Sequence, residues 1–149
     1  MQLIVFCGIQ ATGKSTFYQQ HFFHSHVRIS LDLLRTRNRE QRLLELCLET
    51  QMRCVIDNTN PTRAERARYI EPARRAGFTV TGYFFQAAVA EALVRNQQRP
   101  VERQVPAVGL RATRNRLELP RYEEGFDELY FVRPLGNHTF TISPWQHEV

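Results

Sequence analysis

The sequence predicts an α/β fold, a parallel sheet of about five strands flanked by helices. Three observations carry that expectation. Leu3 to Cys7 is an unbroken apolar run, the pattern of a strand buried on both faces. Similar runs alternate with amphipathic stretches along the chain, and helical crossovers are what join parallel strands. Between the first apolar run and the first helical stretch lies GIQATGKS, residues 8–15. It fits G-x-x-x-x-G-K-[ST], a loop that joins strand to helix around a phosphate.

The elements follow in order. Lys14 to about Phe23 reads as a helix and Val27 to Ile29 as a short second strand. Ser30 stands where it would cap a helical turn starting at Leu31. Glu40 to about Gln51 reads as a helix, with Leu43, Leu46 and Cys47 on one face and Leu44 and Leu48 widening it. Arg53 to Asp57 is a third strand. Thr62 and Glu65 have the spacing of a capping box for a helix that runs to about Ala76 and ends at Gly77. Thr79 to Phe85 is a fourth strand, and Ala87 to about Asn96 is helical. The polar stretch QQRPVERQVP follows, within a lid placed at about residues 95–106. Pro106 suits the first turn of a helix running to about Leu117. Leu129 to Val132 is a last strand, and in the tail, residues 136–149, HTFTI has the pattern of an edge strand. No repeat or linker divides residues 1–149, so one domain is expected.

Composition narrows the setting. Hydrophobic residues make up 42% and charged residues 23%, ordinary for a soluble globular protein. No apolar run approaches the ~20 residues of a membrane span. The opening MQLIVFCG lacks a basic stretch and reads as a strand, not an export signal. Cys7, Cys47 and Cys54 are odd in number and lack metal-ligand spacing. Buried reduced thiols and a cytoplasmic location follow. The net charge of +5 and pI of about 9.6 permit a polyanionic partner. Of the 20 basic residues 19 are arginine, and the one lysine is Lys14, inside the quoted loop. A compact ammonium on a flexible stem is what arginine's planar fork does not copy.

The loop assigns Gly8, Ile9, Gln10, Ala11, Thr12, Gly13, Lys14, Ser15 and Thr16 to the phosphates of a nucleoside triphosphate, ATP or GTP. Backbone N–H groups and the helix N-terminus supply positive potential there. Lys14 is expected to reach the β- and γ-phosphates, Ser15 to offer its hydroxyl to Mg²⁺, and Thr16 to bond the α-phosphate. Asp32 and Asp57, two of only three aspartates, each follow a strand and so belong on the ligand side of the sheet. A carboxylate there orients or accepts the proton of an attacking hydroxyl, or holds metal-bound water. Asp32 also reads as a plain helix cap, and Asp57 as a turn-former in DNTNP. Arg35 lies three residues after Asp32, on the same face of a helical turn. Arg95, Arg99 and Arg103 are spaced by four, so a helix would line them up in the expected lid; the alternative is solvated surface charge. His21, His24 and His26 lack a further ligand set and read as a surface helix end.

Taken together, the loop, VRISLDLLR, VIDNTNPTRAERARYI and RNQQRPVER resemble the kinase domain of 5′-polynucleotide kinases. The resemblance covers roughly residues 3 to 132, and IDNTNP is its most specific part after the loop. It implies a P-loop kinase fold, ATP with Mg²⁺, and a 5′-hydroxyl nucleic-acid end as acceptor. It also implies that Asp32 is the general base for that hydroxyl and Arg35 contacts the adjacent substrate phosphate. Arg95 and Arg99 would contact the nucleotide and the transferring phosphate, Lys14 and Arg99 acting in catalysis. Asp57 would serve the substrate side and, through water, the metal held by Ser15. Three departures stand out. Leu31 replaces an arginine often found before the aspartate, Pro100 interrupts the lid, and no D-x-D-x-T phosphatase motif is present. With Lys14 the sole lysine, no lysine-adenylating ligase module is present either.

Three functions therefore compete: a polynucleotide 5′-hydroxyl kinase, a kinase of the same fold acting on a sugar, nucleoside or antibiotic, and an NTP-binding regulatory module. The basic balance and Arg35 favour the first over the second. The aspartate placed for a hydroxyl acceptor and the arginine lid favour either kinase over a switch.

Overall fold

The computed structural model describes residues 1–86 and 89–146. Strands β1 (Gln2–Cys7), β2 (Val27–Ile29), β3 (Cys54–Ile56), β4 (Thr79–Phe85), β5 (Glu128–Gly136) and β6 (Thr139–Pro144) form one sheet in the order β2-β3-β1-β4-β5-β6. The first five are mutually parallel. β6 returns antiparallel along β5, with an irregularity between Pro134 and Gly136. The helices are α1 (Lys14–His21), α2 (Leu31–Leu34), α3 (Arg37–Glu49), α4 (Arg63–Arg75), α5 (Val89–Gln97) and α6 (Ala107–Arg116).

This is an α/β P-loop kinase fold, as the sequence predicts, with the HTFTI segment supplying a sixth strand. β1 lies at its centre. Leu3, Val5 and Cys7 face a core shared with α3 and α4, while Ile4 and Phe6 face a second core against α1. Leu3 to Phe6 have no exposure at all, and each such side chain contributes about 1.5–3 kcal/mol by burial. The second core is largely aromatic: Phe6, Phe17, Phe22, Tyr83 and Phe85 meet mostly edge to face, the arrangement that ring quadrupoles favour. A third cluster, Ile9, Ala92 and Leu110, seats α5 and α6 behind the loop that follows β1.

Several local expectations hold in detail. Thr62 accepts from the Glu65 N–H while Glu65 accepts from the Thr62 N–H, a complete capping box. All three cysteines are free and buried. Burial pushes the Cys7 thiol up to about 11. Others need correction. Leu46 is about half exposed, and Glu40 takes a place on the buried face of α3 with Leu44, Cys47 and Leu48. Pro106 precedes the first residue of α6, and β5 runs four residues past Val132. The helix expected over Ala87 to about Asn96 is present through Gln97, and its expected start, at residues 87 and 88, lies outside the described residues. Among the described residues, no helix is long and apolar enough to cross a membrane.

Candidate functional site

In a parallel sheet the loops that follow the strands gather at the carboxyl edge, and the loop after β1 turns there directly into α1. Two glycines make this turn possible. A Cβ on Gly8 would lie 2.9 Å from the Phe85 carbonyl oxygen. Gly13 has φ +89°, and a Cβ there would sit 2.8 Å from the ring of Phe140. Both positions need a residue without a Cβ. Ala11 is also left-handed, at φ +60°. The Gly8 N–H donates to Thr59 O at 2.9 Å, tying the loop to the segment after β3.

Lys14 is buried. Its Nζ donates to Gly8 O (3.0 Å), Ile9 O (2.6 Å) and Thr12 Oγ1 (3.4 Å). Burial holds the ammonium down to about 8, Asp57 and Asp32 pull it upward, and Arg99 pushes it further down. Lys14 thus lies within the field of two carboxylates and one guanidinium from three other parts of the chain. A second group forms around Asp57. Its Oδ2 accepts from Ser15 Oγ at 3.1 Å and from Arg28 Nε at 2.8 Å, while Arg28 Nη2 donates to Ser15 Oγ at 3.1 Å. The Asp57 side chain is 3% exposed, so its charge is met by the arginine and not by water.

The segment after Asp57 is fixed by an internal arginine. Arg66 has no exposure; its Nε and Nη2 donate to Glu124 at 2.8 and 3.1 Å, and its Nη1 donates to Asn60 O at 2.9 Å and Pro61 O at 3.2 Å. Asn60 returns its Nδ2 to Phe6 O at 2.7 Å. Such a pair is costly to break from one side, ~3–5 kcal/mol, because the remaining charge stays buried.

Asp32 is exposed on α2. The expected cap by Ser30 is absent: its hydroxyl is buried without a hydrogen-bond partner, and the Leu31 N–H donates instead to Asn58 Oδ1 at 2.9 Å. Asn58 reaches it from the loop that follows β3. Arg35, also exposed, ends α2 at φ +76° and ψ −31°, a conformation that non-glycine residues hold at a cost of ~1–3 kcal/mol.

The arginine stripe divides. α5 ends at Gln97, so Arg99 lies past the helix and Arg103 falls, exposed, in a short 3₁₀ turn after Pro100. Pro100 cannot continue the helix, which is why the spacing of four fails to align all three. Arg95 and Arg99 remain half-buried, and each keeps an Nη1 that is buried without a hydrogen-bond partner. The segment between them and α6 is closed by Asn96, whose Nδ2 donates to Val105 O and whose Oδ1 accepts from the Val105 N–H. A groove runs between Val94 and Arg95 of α5, with Gln98 just past its end, and Arg133, Pro134 and Leu135 of β5. Thr16 sits half-buried in the first turn of α1, and Gln10 donates to Thr113 of α6 at 2.9 Å. Of the histidines, His21 stacks near Phe17 and His26 bonds Gln2. Among the described residues no cluster of histidine, cysteine or acidic groups is arranged to hold a metal by itself.

Sequence reasoning missed Arg28, Asn58 and Glu40. Arg28 left one signal, as the only charged residue in the VRI triplet. Alternation puts it on the face opposite buried Ile29.

A family model described as an AAA domain matches residues 35–120, more than half of the chain. A curated relative, the bifunctional polynucleotide phosphatase/kinase of Schizosaccharomyces pombe, is 26% identical over 129 residues, 84% of this chain. The chain spans about a third (32%) of that relative's length. Among solved structures, Kti12 of Chaetomium thermophilum in complex with ADP-AlF3 superposes with a TM-score of 0.70 at 16% identity, covering 88% of each chain. A gluconokinase from Sinorhizobium meliloti gives 0.62 at 18% identity, covering 89% of this chain and 82% of its own. These structures share the fold, and the resemblance drawn from IDNTNP and the loop agrees with the curated relative. The chain belongs to the AAA domain family and has the P-loop kinase form of the α/β fold.

Proposed function

We propose that this protein transfers the γ-phosphate of ATP to the 5′-hydroxyl of a nucleic-acid end. The observation that carries this reading is the phosphate loop itself, in which buried Lys14 donates to Gly8 O and Ile9 O and the neighbouring Ser15 Oγ donates to Asp57 Oδ2 at 3.1 Å. The charges of Asp57, Asp32 and Arg99 act on that lysine, which supports reading a carboxylate for the acceptor and a guanidinium for the transferring phosphate into the same site. The 26% identity to a polynucleotide phosphatase/kinase supports the choice of acceptor.

In this reading the backbone N–H groups of residues 8–16 hold the phosphates, and Lys14 leaves its loop carbonyls for the β- and γ-oxygens. The groove beside Arg95 takes the nucleoside. Arg99 directs its unpartnered Nη1 to the γ-phosphoryl oxygens, where developing charge makes such a contact worth ~10³–10⁵ in rate in related chemistry. Asp32 accepts the proton of the 5′-hydroxyl, whose oxygen attacks phosphorus. The bond to the bridging oxygen of ADP breaks, and ADP leaves. Arg35 meets the phosphate one nucleotide in from that hydroxyl; a sugar or nucleoside offers none there. Mg²⁺ fits the residues present. The Ser15 hydroxyl and Asp57 carboxylate meet at 3.1 Å, and they are the hard oxygen donors this ion takes. Ser15 would hold the ion directly and Asp57 through water. When bound, it neutralises phosphate charge.

The test is to incubate the protein with γ-labelled ATP and Mg²⁺ against 5′-hydroxyl DNA and RNA, a nucleoside, its 3′-phosphate and simple sugars. Label on oligonucleotide ends and the 3′-phosphate is the expected result. Label confined to sugars or the plain nucleoside replaces the acceptor, and slow phosphate release with no labelled acceptor replaces the kinase.

A further inference from the structure

The turn that carries Asp32 has little of its own to hold it. α2 has four residues, none of them fully buried, and Asp32 and Leu33 point to solvent. Its first N–H, that of Leu31, has a partner from elsewhere, Asn58 Oδ1 at 2.9 Å. The Asn58 amide nitrogen is in turn claimed by a buried carboxylate: Nδ2 donates to Glu40 Oε2 at 2.8 Å and to Tyr69 OH at 3.3 Å. Glu40 is 1% exposed. Its Oε1 accepts from Arg37 Nη1 at 2.9 Å and from Tyr69 OH at 3.0 Å. A carboxylate accepts only, and an N–H donates only. The Asn58 amide therefore has one orientation that satisfies both neighbours, and Glu40 enforces it.

Asn58 also follows Asp57 directly. The two adjacent side chains serve opposite sides of the site: Asp57 bonds Ser15 of the phosphate loop, and Asn58 bonds the start of the Asp32 turn. We propose that Asn58, locked by Glu40, is the positioning residue that sets the acceptor base Asp32 against the phosphate loop. This deepens the kinase reading and rests on it. Asn58 touches neither reactant; it acts through the backbone of Leu31. A displacement of about 1 Å in such a base is enough to lower the rate by ~10²-fold.

The experiment uses the full chain with three changes: Asn58→Ala, Asn58→Asp, and Asn58→Asp combined with Glu40→Gln. The single change to aspartate keeps an acceptor for the Leu31 N–H but sets two carboxylates against each other. The double change exchanges donor and acceptor across the same contact. Each single variant should lose about 10- to 100-fold in kcat with KM for ATP within about twofold. The double variant should return to within about threefold of the unmodified protein. Hydrogen exchange gives a second readout that needs no acceptor: Asn58→Ala should speed exchange at residues 31–35 about tenfold or more and leave residues 8–15 unchanged. Unchanged exchange at the turn overturns the proposal whatever the acceptor proves to be. A kcat loss that the double change fails to rescue also overturns it, since that is the mark of general destabilisation. If the unmodified protein labels no acceptor, the kinase reading fails, and the exchange pattern alone decides whether Asn58 holds the turn.

Discussion

The phosphate loop and the Asp32 turn are neighbours, yet they are held by different means. The loop hangs from β1, whose residues Leu3 to Phe6 have no exposure, and it is closed by close approaches that glycine admits. Its lysine is buried, and three oxygens of its own loop hold the ammonium. The Asp32 turn has no fully buried residue, ends on a strained arginine, and takes its N-terminal partner from a side chain in the loop after β3. The difference teaches where each half of the chemistry is encoded. In the proposed reading the donor side is fixed by backbone and core, which change slowly as single residues change. The acceptor side would rest on a few side chains, so substitutions there should alter acceptor use while leaving ATP binding intact.

The largest expected effect breaks the donor side. Lys14→Ala and Ser15→Ala should each bring phosphoryl transfer near background, a loss of ~10³-fold or more, because charge stabilisation of the transferring phosphate goes with them. Steady-state turnover measures this, and near-normal rates in both variants sink the assignment of the loop.

Asp32→Asn comes next. It should lower kcat by ~10²–10⁴-fold, the usual contribution of a general base, with ATP affinity nearly unchanged. Because Asp32 is exposed, the melting temperature should stay within a degree or so. If the aspartate were only a cap, the pattern would reverse: ~1 kcal/mol of stability lost and activity kept. Arg35→Ala should be smaller and selective. Charge-assisted bonds to phosphate are worth ~1.5–3 kcal/mol, so kcat/KM should fall about 10- to 100-fold for an oligonucleotide or nucleoside 3′-phosphate. ATP affinity should hold. Equal use of a nucleoside and its 3′-phosphate, with Arg35→Ala making no difference, removes the nucleic-acid acceptor.

The same asymmetry explains what was legible from sequence. GIQATGKS and Leu3 to Cys7 are local patterns, and local patterns dictated β1, the loop and α1. The Thr62–Glu65 capping box is equally local and appears as expected. Asn58 as the cap of α2 is not local: 27 residues separate it from Leu31, and Ser30 carried the better sequence signal. Glu40 was hidden because a charged residue early in a helix reads as dipole complement, whereas here it is buried by Arg37, Tyr69 and Asn58 together. Arg28 lies in a strand of three residues, too short for periodicity to speak. Arg103 does not align with Arg95 and Arg99 because a helical spacing of four does not continue through Pro100.

Lys14 permits a test of the donor side that leaves the acceptor out. Burial first, and Arg99 with it, hold this lysine down to about 8 against the 10.5 of an ordinary lysine. Phosphates raise it again, so binding above about pH 8 must take up a proton. ATP affinity should then weaken as pH rises past 8, by up to about tenfold per unit. Calorimetry in two buffers of different ionisation enthalpy should register proton uptake at pH 9 and little at pH 7. The stability of the unbound protein runs the other way. Between about 8 and 10.5 the unfolded lysine carries a proton that the folded one has lost, so this group makes the protein more stable as pH rises. An ATP affinity flat across that range removes Lys14 from the phosphates.

The smallest effect sharpens the acceptor side. Arg35 holds φ at +76°, where a Cβ is unfavourable by ~1–2 kcal/mol and glycine is not. Arg35→Ala and Arg35→Gly both remove the guanidinium, so they should lose the same acceptor discrimination. Only the glycine relieves the backbone, and part of that gain is offset by the ~0.5–1 kcal/mol of extra chain entropy glycine loses on folding. The balance is about 1 kcal/mol in favour of Arg35→Gly, a melting temperature ~2–4 °C above that of Arg35→Ala for a domain of this size. Equal melting temperatures would mean that the turn relaxes once the arginine is gone, and that the guanidinium itself, not the chain around it, holds the backbone at positive φ. A higher melting temperature for the glycine variant, with acceptor use equally impaired in both, would show that position 35 keeps an arginine at the expense of stability. That outcome separates a functional side chain from an ordinary turn residue, for which glycine would serve better.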